Sequence, residues 1–215
     1  AATKNKNTLT SALRAANYNK LIESGVDVID GTASFLNASS VEVKSSDGKV
    51  QPIEAKKFVI DTGSYPFVPP ALRTENNPHV YVSESIMDLT ELPERLTVIG
   101  GGYIGLEFSS MYANFGSKVT IVQQEDTFLP REDADVAQSI RSVLENRGVK
   151  IITGAQTERI DDANLTYIQD GKKYSLAGDA VLLAVGRRPN VDALHAEKAG
   201  IAFTERGGIA TDEHL

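Results

Sequence analysis

The stretch Leu96 to Gln124, LTVIGGGYIGLEFSSMYANFGSKVTIVQQ, decides the fold. Leu96 to Ile99 form a short apolar run of strand character that ends in Gly100, Gly101 and Gly102, and Gly105 completes a G-x-G-x-x-G pattern. Ile104, Phe108, Met111, Tyr112 and Phe115 then recur at three- and four-residue steps, so one face of a helix is apolar. Gly116 suits the left-handed position just past a helix end, and Val119 to Val122 supply a second strand. A glycine-rich turn alone is a weak signal. Between a strand and an amphipathic helix that leads to a second strand, it predicts a Rossmann-like βαβ unit that binds a dinucleotide. Gly100 would allow the tight turn, Gly102 the approach of a pyrophosphate and Gly105 the close packing of helix on strand. The helix N-terminus would offer free N–H groups to the phosphates.

Around this unit the chain reads as α/β. Asp133 to Arg147 form a second amphipathic helix, with Val136, Ile140, Val143 and Leu144 on one face, and Val149 to Thr153 a third parallel strand. Thr157 to Ile160, Leu165 to Gln169 and Tyr174 to Leu176 read as a β-meander, and Asp179 to Val185 as a fully buried strand. Ser83 is expected to begin a short helix ending before Pro93. Towards the N-terminus, a helix is expected from Thr8 to Ser24, after a polar, loosely held start. Short strands are then expected at Val26–Ile29, Ala33–Leu36, Val41–Lys44, Lys49–Ile53 and Lys57–Ile60, with a hairpin turn at Ser45–Gly48. Pro66, Pro69 and Pro70 mark a crossing, so the domains are expected over residues 1–80 and 81–215.

Composition bounds the function. With 215 residues, 41% hydrophobic and 24% charged, the chain reads as one large or two small globular domains. The net charge of −7 argues against nucleic acid or an anionic membrane as partner. No stretch has the length of a membrane span and no leader opens the chain, so a cytoplasmic setting is expected. The absence of cysteine excludes disulfides and thiol chemistry carried by these residues.

Three segments, FVIDTGSYP, TVIGGGYIGLEFSSMYANFGSKVTIV and DAVLLAVGRRPN, occur in this order from Phe58 to Asn190. Together they resemble the class I pyridine nucleotide-disulfide oxidoreductases, the family of glutathione reductase, dihydrolipoamide dehydrogenase and mercuric reductase. The details are nearest the mercuric reductase-like branch that includes hypothiocyanous acid reductases. The resemblance runs from about Lys20 to the C-terminus. It implies an NAD(P)-binding domain that delivers hydride to FAD, preceded by a helix and antiparallel strands of the FAD domain. Gly100, Gly102, Tyr103, Ile104 and Gly105 would form the pyrophosphate turn, with Tyr103 covering the nicotinamide pocket and Glu107 near its nicotinamide end. Val185 and Gly186 would touch the cofactor from the other side, Thr157 would lie near the adenine, and Thr62 and Gly63 would lie against FAD.

The departures bear on activity. The family's first G-x-G-x-x-G and its C-x-x-x-x-C pair have no counterpart in these residues, nor do the second flavin segment and the dimerisation domain. The chain is therefore expected to be a piece of such an enzyme, with no catalytic residues of its own, inactive in isolation, and part of a homodimer in the parent. Its helix and meander, deprived of a partner sheet, would leave apolar faces that favour self-association.

Cofactor choice turns on Gln123, about 20 positions after the first glycine, where an acid favours NAD and nearby arginines favour NADP. Glutamine repels neither, Glu125 and Asp126 would oppose a 2′-phosphate, and Arg131 is the neighbouring cation, so NAD is favoured over NADP with both admitted. Other signals read blandly. His79, His195 and His214 lack metal-ligand spacing and no metal is expected, while Glu132, Asp133 and Asp135 read as partners of a helix dipole. Arg187 and Arg188 read equally as a phosphate clamp or a solvated pair. The competing function is a non-catalytic Rossmann nucleotide-binding or sensing module, which has no reason to carry the DTGSYP and AVGRRPN segments; a methyltransferase-like domain fits the turn less well.

Overall fold

The computed structural model describes residues 2–213, so His214 lies outside the described residues. The chain divides into two compact units, one up to Tyr65 together with the residues from Arg188 on, and one from Pro66 to Arg187.

The first unit begins with α1 (Ala2–Glu23), six residues longer at its start than the sequence pattern predicts. Leu9, Leu13, Tyr18, Leu21 and Ile22 on it are 45–61% exposed, so helical spacing here does not mark a buried face. An antiparallel sheet follows, with β1 (Thr32–Asn37), β2 (Ser40–Lys44) and β3 (Val50–Glu54) in sequential order. The predicted hairpin turn joins β2 to β3, where the Ser45 hydroxyl and the Lys49 ammonium and backbone N–H hold the Asp47 carboxyl down to about 2.

Neither Val26–Ile29 nor Lys57–Ile60 forms a strand. Phe58 and Ile60 instead pack around buried Phe35, the Phe58 ring meeting it edge-on at 5.2 Å, so their alternation records contact with a core and not membership of a ladder. Leu194 and Ala196, near the C-terminus, complete the same cluster. Beside the expected domains of 1–80 and 81–215, the compact units place the residues from Pro66 to 80 with the second unit, where Leu72 and Val80 pack, and the residues from Arg188 on with the first. Next, β4 (Ser64–Pro66) pairs with β13 (Arg187–Pro189) as a two-stranded ribbon.

The second unit is built on a parallel sheet. Its strands are β5 (Val80–Val82), β6 (Arg95–Ile99), β7 (Lys118–Val122), β8 (Lys150–Ile152) and β12 (Ala180–Leu183), in spatial order β5-β12-β6-β7-β8. Every neighbouring pair is parallel. Alternation along each strand sorts side chains to two faces. Leu96, Val98, Val119, Ile121 and Leu182 pack with Leu106 and Tyr112 of α2 (Tyr103–Phe115) and Ala137 and Leu144 of α3 (Ala134–Asn146). Ile99, Val122, Val181 and Leu183 face the meander β9 (Ala155–Asp161), β10 (Asn164–Gln169) and β11 (Lys172–Leu176), through Ala155, Ile160, Leu165 and Tyr167. Strands covered on both faces explain the near-continuous apolar reading of LTVI and AVLL.

Two local differences concern neighbours of the sheet. The short helix expected from Ser83 is a 3₁₀ turn over Ser85–Asp88, whose Ser85 hydroxyl accepts the Val82 N–H at 3.0 Å. Val80–Val82, unpredicted, adds the edge strand β5 beside β12.

Candidate functional site

The glycine-rich turn joins β6 to α2, and its geometry follows from what a Cβ would meet. Gly100 has φ +104° and lies so close to the next strand that a Cβ would sit 2.4 Å from the Ala184 carbonyl oxygen. A Cβ on Gly105 would sit 2.0 Å from the carbonyl oxygen of Gly100, so helix and turn touch through backbone. Gly102, the N-cap of α2, differs: it has ordinary extended backbone at φ −80° and ψ −178°, and a Cβ there would meet nothing within 4 Å. Its missing side chain is needed by no protein neighbour. The first intrahelical bond runs from the Leu106 N–H to the Gly102 carbonyl at 3.0 Å, and the N–H groups before it head a 13-residue helix.

Over this turn opens a cavity of about 620 Å³, within the range of small-molecule sites. Of the residues singled out from the sequence, Gly100, Gly102, Tyr103, Gln123, Thr157, Val185 and Gly186 line it. Ile104, Gly105 and Glu107 do not. Gly105 is buried beneath the turn, and Glu107 is exposed on α2, lining a separate groove with Met111, Ile140 and Val143. Thr62 and Gly63 belong to the other compact unit, where their carbonyls accept the Asn190 side-chain amide at 3.2 Å and backbone N–H at 3.0 Å. Arg187 does not line the cavity; its guanidinium reaches Glu84 Oε1 at 3.5 Å.

Gln123 is 5% exposed. Its backbone is pinned on both sides, the N–H donating to Ile152 O at 2.8 Å and the carbonyl accepting from Ala155 N at 2.9 Å. Its side chain turns into the glycine-rich turn, where Oε1 accepts the Gly101 N–H at 2.7 Å.

Two features of the site have no signal in local sequence pattern. Glu132 precedes α3 and is not in its first turn; it accepts the Tyr103 hydroxyl instead, and both residues line the cavity. That hydrogen bond, with the carboxylate's charge, holds the Tyr103 phenol above its ordinary range, against a smaller opposing effect of Arg131. In the predicted loop, Phe128 and Leu129 are buried in the core, with the Arg141 guanidinium 6.0 Å from the Phe128 ring centroid. Their burial fixes the chain that presents Arg131 and Glu132. Contacts spanning tens of residues leave no periodic trace in sequence.

Among the described residues no three His, Cys, Asp or Glu side chains gather as a metal set, and no helix is long and apolar enough to cross a membrane. His79 is exposed and His195, also exposed, lies 3.6 Å from Glu197.

A parallel sheet with a glycine-rich turn at the C-terminal end of its central strand, and a cavity above that turn, define a Rossmann-like α/β protein. The chain belongs to the pyridine nucleotide-disulphide oxidoreductase family, whose sequence profile matches residues 2–215. It is 44% identical over 215 residues to the probable pyridine nucleotide-disulfide oxidoreductase RclA of Escherichia coli, covering 100% of this chain and 48% of that protein. It is 33% identical to a mercuric reductase of Bacillus cereus, over 99% of this chain and 33% of that one. Among solved structures, the HOCl-induced flavoprotein disulfide reductase RclA from Escherichia coli superposes with a TM-score of 0.88 at 41% identity, over 99% of this chain and 48% of that chain. The chain thus spans about half the length of the RclA protein it matches.

Proposed function

We propose that the unit from Pro66 to Arg187 binds a nicotinamide dinucleotide across the glycine-rich turn, as part of a flavin-dependent oxidoreductase. The observation that carries this reading is Gly102: a position where a Cβ would meet no protein atom and the backbone is unstrained, at the head of α2 and on the cavity wall, is best accounted for by something that approaches it from outside. The donor set fits the group. The turn and the head of α2 would hold the pyrophosphate, and Gln123 and Thr157 would line the adenosine end. Tyr103, Val185 and Gly186 would enclose the nicotinamide end. A dinucleotide bound there supplies a hydride, with FAD as the acceptor in the complete protein and Thr62 and Gly63 as the residues offered towards it. The chain's own residues bind, orient and shield; none acts as a catalytic acid, base or nucleophile. The dimerisation and flavin domains of such a protein would be the partners, in a homodimer, and the final electron acceptor would be selected by them.

Nicotinamide fluorescence measured on titration with NADH tests this directly. Saturable binding is expected, and Gly102→Val should abolish it at a stability cost of no more than about 1 kcal/mol, because the backbone angles are open to any residue and a Cβ meets no protein atom, leaving only the weaker N-cap preference of valine. Undiminished binding by Gly102→Val would overturn the reading.

A further inference from the structure

The orientation of Gln123 carries a consequence for which nicotinamide dinucleotide the site takes. The Gly101 N–H, 2.7 Å away, can only meet an acceptor, and this fixes the amide with its oxygen towards the turn and its nitrogen away from it. That nitrogen has no hydrogen-bond partner among the described residues. Ser109 Oγ is the fully enclosed side-chain polar atom among them that lacks a partner, so the Gln123 amide nitrogen keeps access to the cavity that the residue lines. A nearly buried side chain with two unmet donors facing a cavity calls for an acceptor there.

Gly101 is tied to this arrangement. A Cβ on it would sit 2.3 Å from Gln123 Oε1 and 3.3 Å from its Cδ, so a side chain at 101 would push the Gln123 amide out of its present position against the turn. The Gln123 backbone is held by its bonds to Ile152 and Ala155, so the amide would move by rotation of the side chain and give up its bond to the Gly101 N–H. The charged residues sharing the cavity, Glu125 and Glu132 against Arg131, include both signs.

We infer that Gln123 and Gly101 act as one unit that makes the adenosine-ribose end of the site a neutral donor, so that the site accepts NADPH as readily as NADH. This rests on the dinucleotide reading above. An acidic residue at this position accepts hydrogen bonds from the ribose hydroxyl and repels a 2′-phosphate. Here the side chain's one acceptor is occupied by Gly101. What remains is an NH₂ group, which can donate to a hydroxyl oxygen or to a phosphate oxygen and repels neither.

The test is a fluorescence titration with NADH and NADPH on the wild type and on Gln123→Glu, Gly101→Ala and the double variant Gly101→Ala with Gln123→Ala. The wild type should bind the two cofactors within about tenfold of each other, and Gln123→Glu, which keeps an acceptor for Gly101, should weaken NADPH alone by about tenfold or more. Gly101→Ala should weaken both cofactors by about tenfold, and much of that loss should be absent when it is introduced into Gln123→Ala, since the atoms it strikes are gone. A purely structural Gln123 would leave the ratio of the two affinities unmoved in Gln123→Glu. That result, or a wild type preferring one cofactor by about a hundredfold, overturns the inference while leaving dinucleotide binding intact. Failure of the wild type to bind either cofactor removes the reading beneath it as well.

Discussion

A methyl group on Gly105 would lie 2.0 Å from the carbonyl oxygen of Gly100, closer than any stable contact. The turn and the helix that follows are therefore in backbone contact, and the position of the α2 N-terminus over the cavity depends on it. Gly105→Ala is expected to cost about 3 kcal/mol, since neither backbone can yield cheaply. Chemical denaturation would show it as a lower midpoint. Dinucleotide binding should fall in parallel, in contrast to Gly102→Val, which should remove binding at a much smaller cost in stability.

The contrast between these glycines shows what sequence could reveal. The G-x-G-x-x-G spacing between two strands and an amphipathic helix is sufficient to place Gly100, Gly102 and Gly105 on a βαβ turn, because each element carries its own period. The same holds for α3 and the meander. Local pattern could not show that Leu194 and Ala196 return to Phe35, that Glu132 meets Tyr103, or that Gln123 turns towards Gly101. These pairings are distant in the chain and involve single residues. Val80–Val82 carries no signal for a related reason: three residues are too few for a period, and only the neighbouring β12 makes them a strand.

Ser109 on α2 is fully buried, and its hydroxyl has no hydrogen-bond partner among the described residues. A hydroxyl taken out of water without compensation is a cost, and alanine is also the better helix former. Ser109→Ala is therefore predicted to stabilise the chain by about 1 kcal/mol, a rise of a few degrees in the thermal midpoint. Calorimetry decides it; a fall in the midpoint would indicate that the hydroxyl is satisfied.

Asp179, ahead of β12, accepts the backbone N–H of Arg95 at 2.9 Å and pairs with its guanidinium at 2.5 Å, tying the starts of two adjacent strands. The hydrogen bond from Arg95 holds the Asp179 carboxyl below its ordinary range. A lowered carboxyl contributes stability that is present above the unfolded-state value of about 4 and is lost as pH falls through the folded-state value. Both side chains are more than a third exposed, so solvent screening keeps the effect small. Asp179→Asn should lower the melting temperature at pH 7, and the gap from wild type should close as the pH is taken down through the acid range. A gap that persists unchanged in acid would mean that the backbone contact alone matters.

The Tyr103 phenol is held up chiefly by its hydrogen bond to Glu132 and by the charge of that carboxylate. Its ionisation, followed by ultraviolet difference absorbance against Tyr103→Phe, should move to lower pH in Glu132→Gln. No movement would separate the two residues in solution.

The apolar side chains of α1, from Leu9 to Ile22, are about half exposed. A patch of this kind is expected to draw the chain into self-association, and charged substitutions such as Leu13→Glu with Leu21→Glu should reverse it. Sedimentation velocity showing a wild-type monomer at high concentration would contradict this.

Amide chemical shifts recorded during an NADH titration test, residue by residue, whether the cavity over Gly100 to Tyr103 holds a dinucleotide. Saturable shifts are expected, concentrated at Gly102, Tyr103 and Ile104, at Gln123 and Thr157, and at Val185 and Gly186. Shifts confined to other surfaces, or none at saturating cofactor, would contradict binding there.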